Sequence, residues 1–418
     1  METFFKVHRP EQVFNIIDQF GPSGEETVPL ETCLGRVLSS KVISPENLPS
    51  FFRSTMDGYA VRARDTFGAS ESIPAFFEVS GEVLMGEVPG MVLRAGHAIN
   101  ISTGGMLPEG ADGVVMVEYC DLLDEKTLEV KQAISPLENV IQPGDDLRQG
   151  ATVFKKGHTL RPQDLGIMAG LGQSEVSVYK RPRVAIISTG NEIVPIDEQP
   201  KPGKIRDINR YTLRAFCQRF GAQPLYMGLS PDDFDSLKAI IEKALIQADT
   251  VWISGGSSVG TRDLTLGVFE TLHDFELLVH GISISPGKPT IIGKSGSQPV
   301  IGLPGHVASA LVVAEIFLTR LLFRLSGRTD SLIGSLFHIE AELSQNIESA
   351  TGREDYIRVK LLENGKTVIA DPVFGKSGLI STLVEADGLI RVDMNTEGLY
   401  QGQKVRVLPF IYTNGVAL

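Results

Sequence analysis

Residues 233–263 read DFDSLKAIIEKALIQADTVWISGGSSVGTRD, and they decide the fold of the middle of the chain. Leu237, Ile240, Ile241, Ala244 and Leu245 recur at helical spacing, so 233–247 is expected as an amphipathic helix. Val251, Trp252 and Ile253 form a short apolar strand, and a glycine-rich loop follows at 254–263. The same rhythm continues on both sides. Upstream lie an apolar strand at 184–187, a helix around 211–220 and a strand at 225–227. Downstream, a strand at 300–303 runs into the long apolar stretch 307–325. Strands alternating with helices predict a doubly wound parallel α/β domain, covered on both faces.

The flanks differ. From 46 to 146, short β-rich runs (75–79, 114–118, 128–130) alternate with Gly, Pro, Asn and Asp turns. The tail returns to strands at 357–362, 367–370, 389–392 and 405–409. An amphipathic helix is expected at 11–20, and another at 162–171 that opens on a proline. The fold class is therefore α/β plus β, multidomain. A linking domain takes 1–45 and 147–180, a mainly β domain 46–146, the α/β domain 181–327, and a C-terminal β-barrel domain 328–418. At 418 residues the chain exceeds what one hydrophobic core usually organises.

Bulk chemistry excludes several classes. A net charge of −12 argues against nucleic-acid or anionic-membrane partners, so any anionic small substrate needs a local concentration of cations and N–H groups. Cys33, Cys120 and Cys217 are far apart and read as buried thiols in a reducing compartment. The start METFFKVHRP lacks the apolar core of a signal peptide. Glu315, Arg320 and Arg324 interrupt 307–325, which reads as a buried helix and not a membrane span. The cytoplasm is the default location.

Ligands of open α/β sheets bind beyond the carboxyl ends of the strands. Three such ends carry unusual loops: Ser188-Thr189-Gly190-Asn191-Glu192, the loop 254–263, and Gly302-Leu303-Pro304-Gly305-His306. Glycines let backbone N–H groups cradle an anion, and neighbouring acids suit Mg²⁺ held between protein and phosphate. No loop is a Walker A or GxGxxG motif. In the β-rich part, Asp57-Gly58 within 53–61 reads locally as a hairpin turn, and Ser102-Thr103-Gly104-Gly105 as a second turn.

Taken together and in order, MDGYAV, STGGMLPEGADGVVMVE, STGNEI, SGGSSVGTRD, SPGKP and GLPGH resemble the motifs of the molybdopterin molybdenumtransferases, the family of MoeA and the gephyrin E domain. The resemblance spans nearly the whole chain. It implies a four-domain homodimer that uses Mg²⁺, takes adenylylated molybdopterin and molybdate, and releases AMP. Its active site would combine the α/β domain of one subunit with the β-rich domain of the other. Handover from a molybdopterin adenylyltransferase and to apo-molybdoenzymes would follow.

Residue by residue, the resemblance gives catalytic roles to Asp57, Asp146, Glu192, Asp232 and Asp263, with Asp232 and Asp263 on the metal. Substrate contacts fall to Thr103, Ser188, Thr189, Gly190, Ser254, Gly255, Gly256, Ser257, Gly260, Lys288, Pro304, Gly305 and Arg353. Backbone N–H groups of 255–260 would hold the phosphates, and Lys288 with Arg353 the molybdate. The chain also departs from the family. Ser285 and Gly281 stand where two lysines are usual, Ile141 replaces an arginine, and His306-Val307 replaces Asn-Pro in the GLPG motif. Substitute cations for the missing lysines would be His280, His306 or Arg262. Two other activities remain open at this stage: adenylyl transfer to molybdopterin, which leaves 46–146 and 328–418 without a role, and a non-catalytic scaffold that retains the adenylylated pterin.

Overall fold

The computed structural model describes residues 7–255, 259–328, 338–365 and 367–410, without the side chains of 259–263. The chain divides into two compact units, Lys41–Lys155 with Gln163–Ser174, and the remainder.

The smaller unit is built on a six-stranded mixed sheet. Its strands are β1 (Gly58–Val61), β2 (Ala75–Val83), β3 (His97–Ile101), β4 (Gly113–Met116), β5 (Cys120–Leu122) and β6 (Thr127–Val130), in the order β4-β1-β3-β2-β6-β5. Asp57-Gly58 is not a hairpin turn. Gly58 opens β1 between two partners, paired with Ile101 and Met116. A Cβ on Gly58 would lie 1.9 Å from the Val115 carbonyl oxygen, so the backbones approach closer than any side chain allows. The strand expected at 114–118 stops at Met116, and a 3₁₀ turn takes Val117–Tyr119. The helix beginning at Pro162 runs Pro162–Gly170.

The larger unit holds the α/β sheet and the barrel. Helix α1 (Pro10–Ile17) precedes a sheet built from β7 (Arg183–Thr189), α3 (Asn209–Arg219, with Pro162–Gly170 as α2), β8 (Gln223–Ser230), α4 (Phe234–Gln247), β9 (Thr250–Gly255), α5 (Val259–Phe269), β10 (Phe275–His280), β12 (Ile291–Ser295) and β13 (Gln298–Leu303). Between β10 and β12 lies the short strand β11 (Ile284–Ser285). The sheet order is β8-β7-β9-β13-β12-β10. The first four strands are parallel and the last two antiparallel, so an antiparallel pair edges the expected parallel sheet. Val184, Ile186, Trp252 and Ile301 point into one buried layer, and Ala185, Ile187, Val251 and Ile253 into the other. Both faces are apolar, as a sheet covered on two sides requires.

The stretch 307–325 is α6 (Val307–Val313), a π-helical turn (Ala314–Leu318) and α7 (Thr319–Leu325). Its charged side chains are paired or hydrogen-bonded. Glu315 takes both contacts from one Arg219 nitrogen, Arg320 Nε donates to Asp18 at 2.7 Å, and Arg324 donates to the Asp18 carbonyl at 3.0 Å. Burial pushes the Glu315 carboxyl up despite Arg219, while the Arg320 bond holds Asp18 down. Among the described residues no helix is long and apolar enough to cross a membrane.

The C-terminal strands are β14 (Ile339–Leu343), β15 (Glu354–Asn364), β16 (Thr367–Pro372), β17 (Gly388–Val392) and β18 (Lys404–Pro409). They run β15-β16-β14-β18-β17, and β17 pairs back with β15, closing a five-stranded barrel. Strand β11 adds to its rim: Ile284 pairs with Glu354 and Ser285 with Asp355. The thiols behave as expected, with Cys33 and Cys217 buried and the half-buried Cys120 pushed up to about 12 by desolvation.

Candidate functional site

In the smaller unit, the register of β1 against β3 carries the MDGYAV and STGG segments together. Ser54 and the glycine pair exchange backbone bonds, Ser54 donating to Gly105 at 3.0 Å and Gly104 donating to Ser54 at 2.8 Å. Asp57 Oδ1 then accepts two bonds from Thr103, from the backbone N at 2.7 Å and from Oγ1 at 3.0 Å. Both residues are exposed, and both of these bonds go to Oδ1. Asp146 is also exposed. Its neighbour Asp145 closes the turn by accepting from Gln142 N at 2.8 Å. The pair is thus divided into a turn-closing acid and a solvent-facing one.

The α/β sheet brings its strand-end loops together at one edge. Thr189 and Gly255 are register partners at the ends of β7 and β9. A Cβ on Gly255 would stand 1.8 Å from the Thr189 carbonyl oxygen, which makes glycine obligatory there. Asp232 clasps the first loop with both oxygens: Oδ1 accepts Thr189 Oγ1 at 2.9 Å and Oδ2 accepts Asn191 N at 3.2 Å. Asn191 Oδ1 accepts in turn from Asp232 N at 3.3 Å. Glu192 is exposed beside Gly190, whose φ is +152°. Ser188 and Ser254 are buried in the strand ends. Gly256 and Ser257 lie outside the described residues, as do the side chains of Arg262 and Asp263, and Gly260 sits in the first turn of α5.

Asn209 was not anticipated from the sequence. Its Nδ2 donates to Ser254 Oγ at 2.6 Å and to the Gly305 carbonyl at 2.8 Å, tying the second loop to the third. Asn209 opens α3 behind Asp207, whose Oδ1 accepts Arg210 N at 3.0 Å. The Arg210 guanidinium lies 3.7 Å from the centre of the Tyr226 ring. A signal did exist in Asp207 and Asn209, two residues with turn and cap chemistry at a helix start. Periodicity alone placed the helix later.

A cavity of about 570 Å³ lies where β11 joins the barrel rim. Lys288, Pro304 and Arg353 line it together, with Ser285, His306 and Arg358. Gly287 permits the turn into Lys288: its φ is +116°, and a Cβ there would meet Val313 at 2.6 Å. Arg353 is half exposed and paired with buried Asp355, Nε to Oδ1 at 2.9 Å. Asp355 also accepts Ser349 Oγ at 2.7 Å. Arg358, missed from the sequence, is buried and donates to Thr382 Oγ1 at 2.6 Å and the Gly375 carbonyl at 2.7 Å. Burial lowers its pKa. The other substitute named for the missing lysines, His280, ends the edge strand β10. Gly281 carries φ +95°, a conformation that disfavours any lysine there.

Similarity to known proteins follows the same segments. Residues 8–172 match the MoeA N-terminal region (domain I and II), 185–324 the "probable molybdopterin binding domain", and 340–410 the MoeA C-terminal region (domain IV). A "putative molybdopterin biosynthesis protein" of Methanocaldococcus jannaschii is 34% identical over 389 residues, covering 91% of each chain. The molybdopterin molybdenumtransferase of Haemophilus influenzae is 32% identical over 400 residues, 94% of this chain and 96% of that one. The crystal structure of a molybdopterin biosynthesis MoeA protein from Pyrococcus horikosii is 38% identical, with a TM-score of 0.84 over 97% of this chain and 100% of its own. Fold, motif order and full-length similarity agree: this chain belongs to the MoeA family.

Proposed function

We propose that this chain is a molybdopterin molybdenumtransferase, a transferase of molybdenum cofactor biosynthesis that inserts molybdate into adenylylated molybdopterin and releases AMP. The observation that carries the reading is the cavity in which Lys288, Pro304 and Arg353 converge from three distant segments. A tetrahedral dianion leaving water needs cations, because an unpaired buried charge is costly.

The adenylylated pterin sits along the strand-end loops, its phosphates held by backbone N–H groups where β9 passes into α5. Asp232 holds the Ser188–Glu192 loop in the conformation that lines this site. Asp57 orients substrate through Oδ2, and Thr103 fixes its rotamer. Asp146 and Glu192 are exposed acids available to move protons, and Lys288 with Arg353 orients molybdate.

Mg²⁺ fits the donor set. It is commonly held by one or two carboxylates plus substrate phosphates, and each Asp232 oxygen keeps one lone pair after its protein bond. No cluster of three or more His, Cys, Asp or Glu exists among the described residues, so phosphate oxygens would complete the shell. Asp232 and Asp263 would be the protein ligands, and the ion would offset charge on the phosphoanhydride as it breaks.

The test is to incubate pure protein with adenylylated molybdopterin, Mg²⁺ and molybdate. AMP release that requires molybdate is the expected result. Retention of the adenylylated pterin without release would mark a scaffold, and adenylylation of molybdopterin from ATP would mark an adenylyltransferase. The homodimer, the cytoplasmic setting and handover between an adenylyltransferase and apo-molybdoenzymes belong to the same proposal. Sedimentation at micromolar concentration tests the dimer directly.

A further inference from the structure

Two features of the molybdate cavity remain unused by that reading: an exposed histidine and the serine it touches. His306 Nδ1 lies 2.8 Å from Ser377 Oγ, and both side chains line the cavity with Lys288. They come from separate elements, His306 from the turn before α6 and Ser377 from the segment after β16. The Ala308 backbone N donates to the Ser377 carbonyl at 3.1 Å, which fixes the two segments against each other. His306 stands where the family motif has asparagine, and Ser285 stands in the same cavity where the motif has lysine. The chain has thus exchanged a permanent charge and a neutral amide for a hydroxyl and a titratable ring.

We propose that the His306–Ser377 pair is a proton-operated oxyanion contact, which supplies the cavity's missing positive charge only when His306 is protonated. The inference rests on the reading of this cavity as the molybdate site. Its logic is hydrogen-bond bookkeeping. A neutral imidazole with Nδ1 as acceptor takes the Ser377 hydroxyl proton, and that hydroxyl no longer points at a ligand. A protonated imidazole must donate from Nδ1, so Ser377 Oγ becomes the acceptor and its hydroxyl proton is released toward the cavity. The Nε2–H donates in both states. One proton therefore adds one charge and frees one donor, the Ser377 hydroxyl. Anion binding and proton uptake are reciprocal, so molybdate binding should draw a proton onto His306.

Other ionisable groups line the cavity with the pair. Lys288, Arg353 and Arg358 supply cations, and Glu348 and Asp355 supply anions. Lys376 adds a cation beside Ser377. Tyr356 stays neutral, its hydroxyl pushed well up by burial and by Glu354. Histidine is the side chain that ordinarily changes charge between about pH 5 and pH 8.

The experiment is calorimetric titration of the full chain with sodium molybdate alone, at about pH 6 and about pH 8. Micromolar molybdate remains a tetrahedral dianion across this interval. The wild type should bind about tenfold more tightly at the lower pH. His306→Asn should keep the weaker affinity at both pH values, with an unchanged melting temperature. Ser377→Ala should bind a fewfold more weakly at the lower pH only, and so show a smaller pH dependence than the wild type. Equal affinities at the two pH values in wild type, or the same pH dependence in His306→Asn, would overturn the proposal. AMP release reports separately on the transferase reading. If pH-linked molybdate binding occurs without AMP release, the transfer assignment fails and this inference stands. If release occurs with pH-independent binding, the outcome is reversed.

Discussion

The acidic loops and the cationic cavity are made in opposite ways. Asp57 and Asp232 are each held by a threonine hydroxyl and a backbone N–H from a short motif loop, at 2.7–3.2 Å. The cavity's cations Lys288, Arg353 and Arg358 come from segments 284–289 and 348–358, which meet because β11 pairs with β15. The acids retain every motif residue that holds them. The cavity has Ser285 where the resemblance implies a lysine. Where geometry is set within one loop the motif has to persist. Where charge is pooled across a cavity, one cation can be exchanged for another.

That contrast is broken most severely at Asp232. Asp232→Ala removes both acceptors of the Ser188–Glu192 loop and one proposed Mg²⁺ ligand. Turnover in AMP release should fall by about 100-fold or more, as expected when a positioned charge is lost from a reaction site. Melting temperature should change by a few degrees at most, because the residue lies at a surface loop. Activity within a fewfold of wild type would remove Asp232 from the site. Lys288→Ala comes next. A charge-assisted contact is worth about 1.5–3 kcal/mol, so the molybdate concentration for half-maximal AMP release should rise about 10- to 100-fold. Affinity for the adenylylated pterin should stay the same, and an equal loss in both would mean that Lys288 supports the fold and not the anion.

The same contrast explains what could be read from the sequence. The α/β rhythm was legible because 237–245 and 251–253 carry their periodicity locally, and both appear as α4 and β9. Motif resemblance pointed to Asp57, Thr103 and Asp232 as candidates, and the structure pairs Asp57 with Thr103 directly. The local reading of Asp57-Gly58 as a turn failed because the need for Gly58 is tertiary: it arises from the carbonyl of Val115 on the neighbouring strand. Asn209 and Arg358 were missed for a related reason. Their partners are 45 and 96 residues away for Asn209, and 17 and 24 away for Arg358, and no spacing rule reports such bonds. The antiparallel edge of the sheet was equally invisible: the strands at Phe275–His280 and Ile291–Ser295 carry no clear periodicity, and their direction is set by their partners.

Restoring the family charge tests the cavity from the other side. Ser285→Lys adds an ammonium group in the cavity, but the register puts position 285 beside Asp355. Asp355 already takes Arg353 and Ser349, so part of the new charge would be absorbed by this carboxylate. The gain should therefore be about threefold to tenfold in half-saturating molybdate, less than the loss in Lys288→Ala. The double change Ser285→Lys with Asp355→Asn should recover a larger share. No gain in either variant would mean that the oxyanion sits away from β11.

The smallest expected effect belongs to Thr103. Asp57 Oδ1 accepts both the Thr103 hydroxyl and the Thr103 backbone N. Thr103→Val deletes the first and keeps the second, with almost no change in side-chain volume. A single exposed hydrogen bond contributes about 0.5–1.5 kcal/mol, and here half of the clasp survives. Turnover should fall by about twofold to tenfold. Replacing Asp57 itself by Ala should cost considerably more, because Oδ2 is lost as well. The double variant separates positioning from direct contact. If Thr103 acts only by fixing the Asp57 carboxylate, Thr103→Val should add nothing once Asp57 is Ala, an interaction that a double-mutant cycle reads as full coupling. Additive losses would show that Thr103 has its own contact with substrate. That result would distinguish this loop from the one at Asp232, where Thr189 and Asn191 share the carboxylate between its two oxygens.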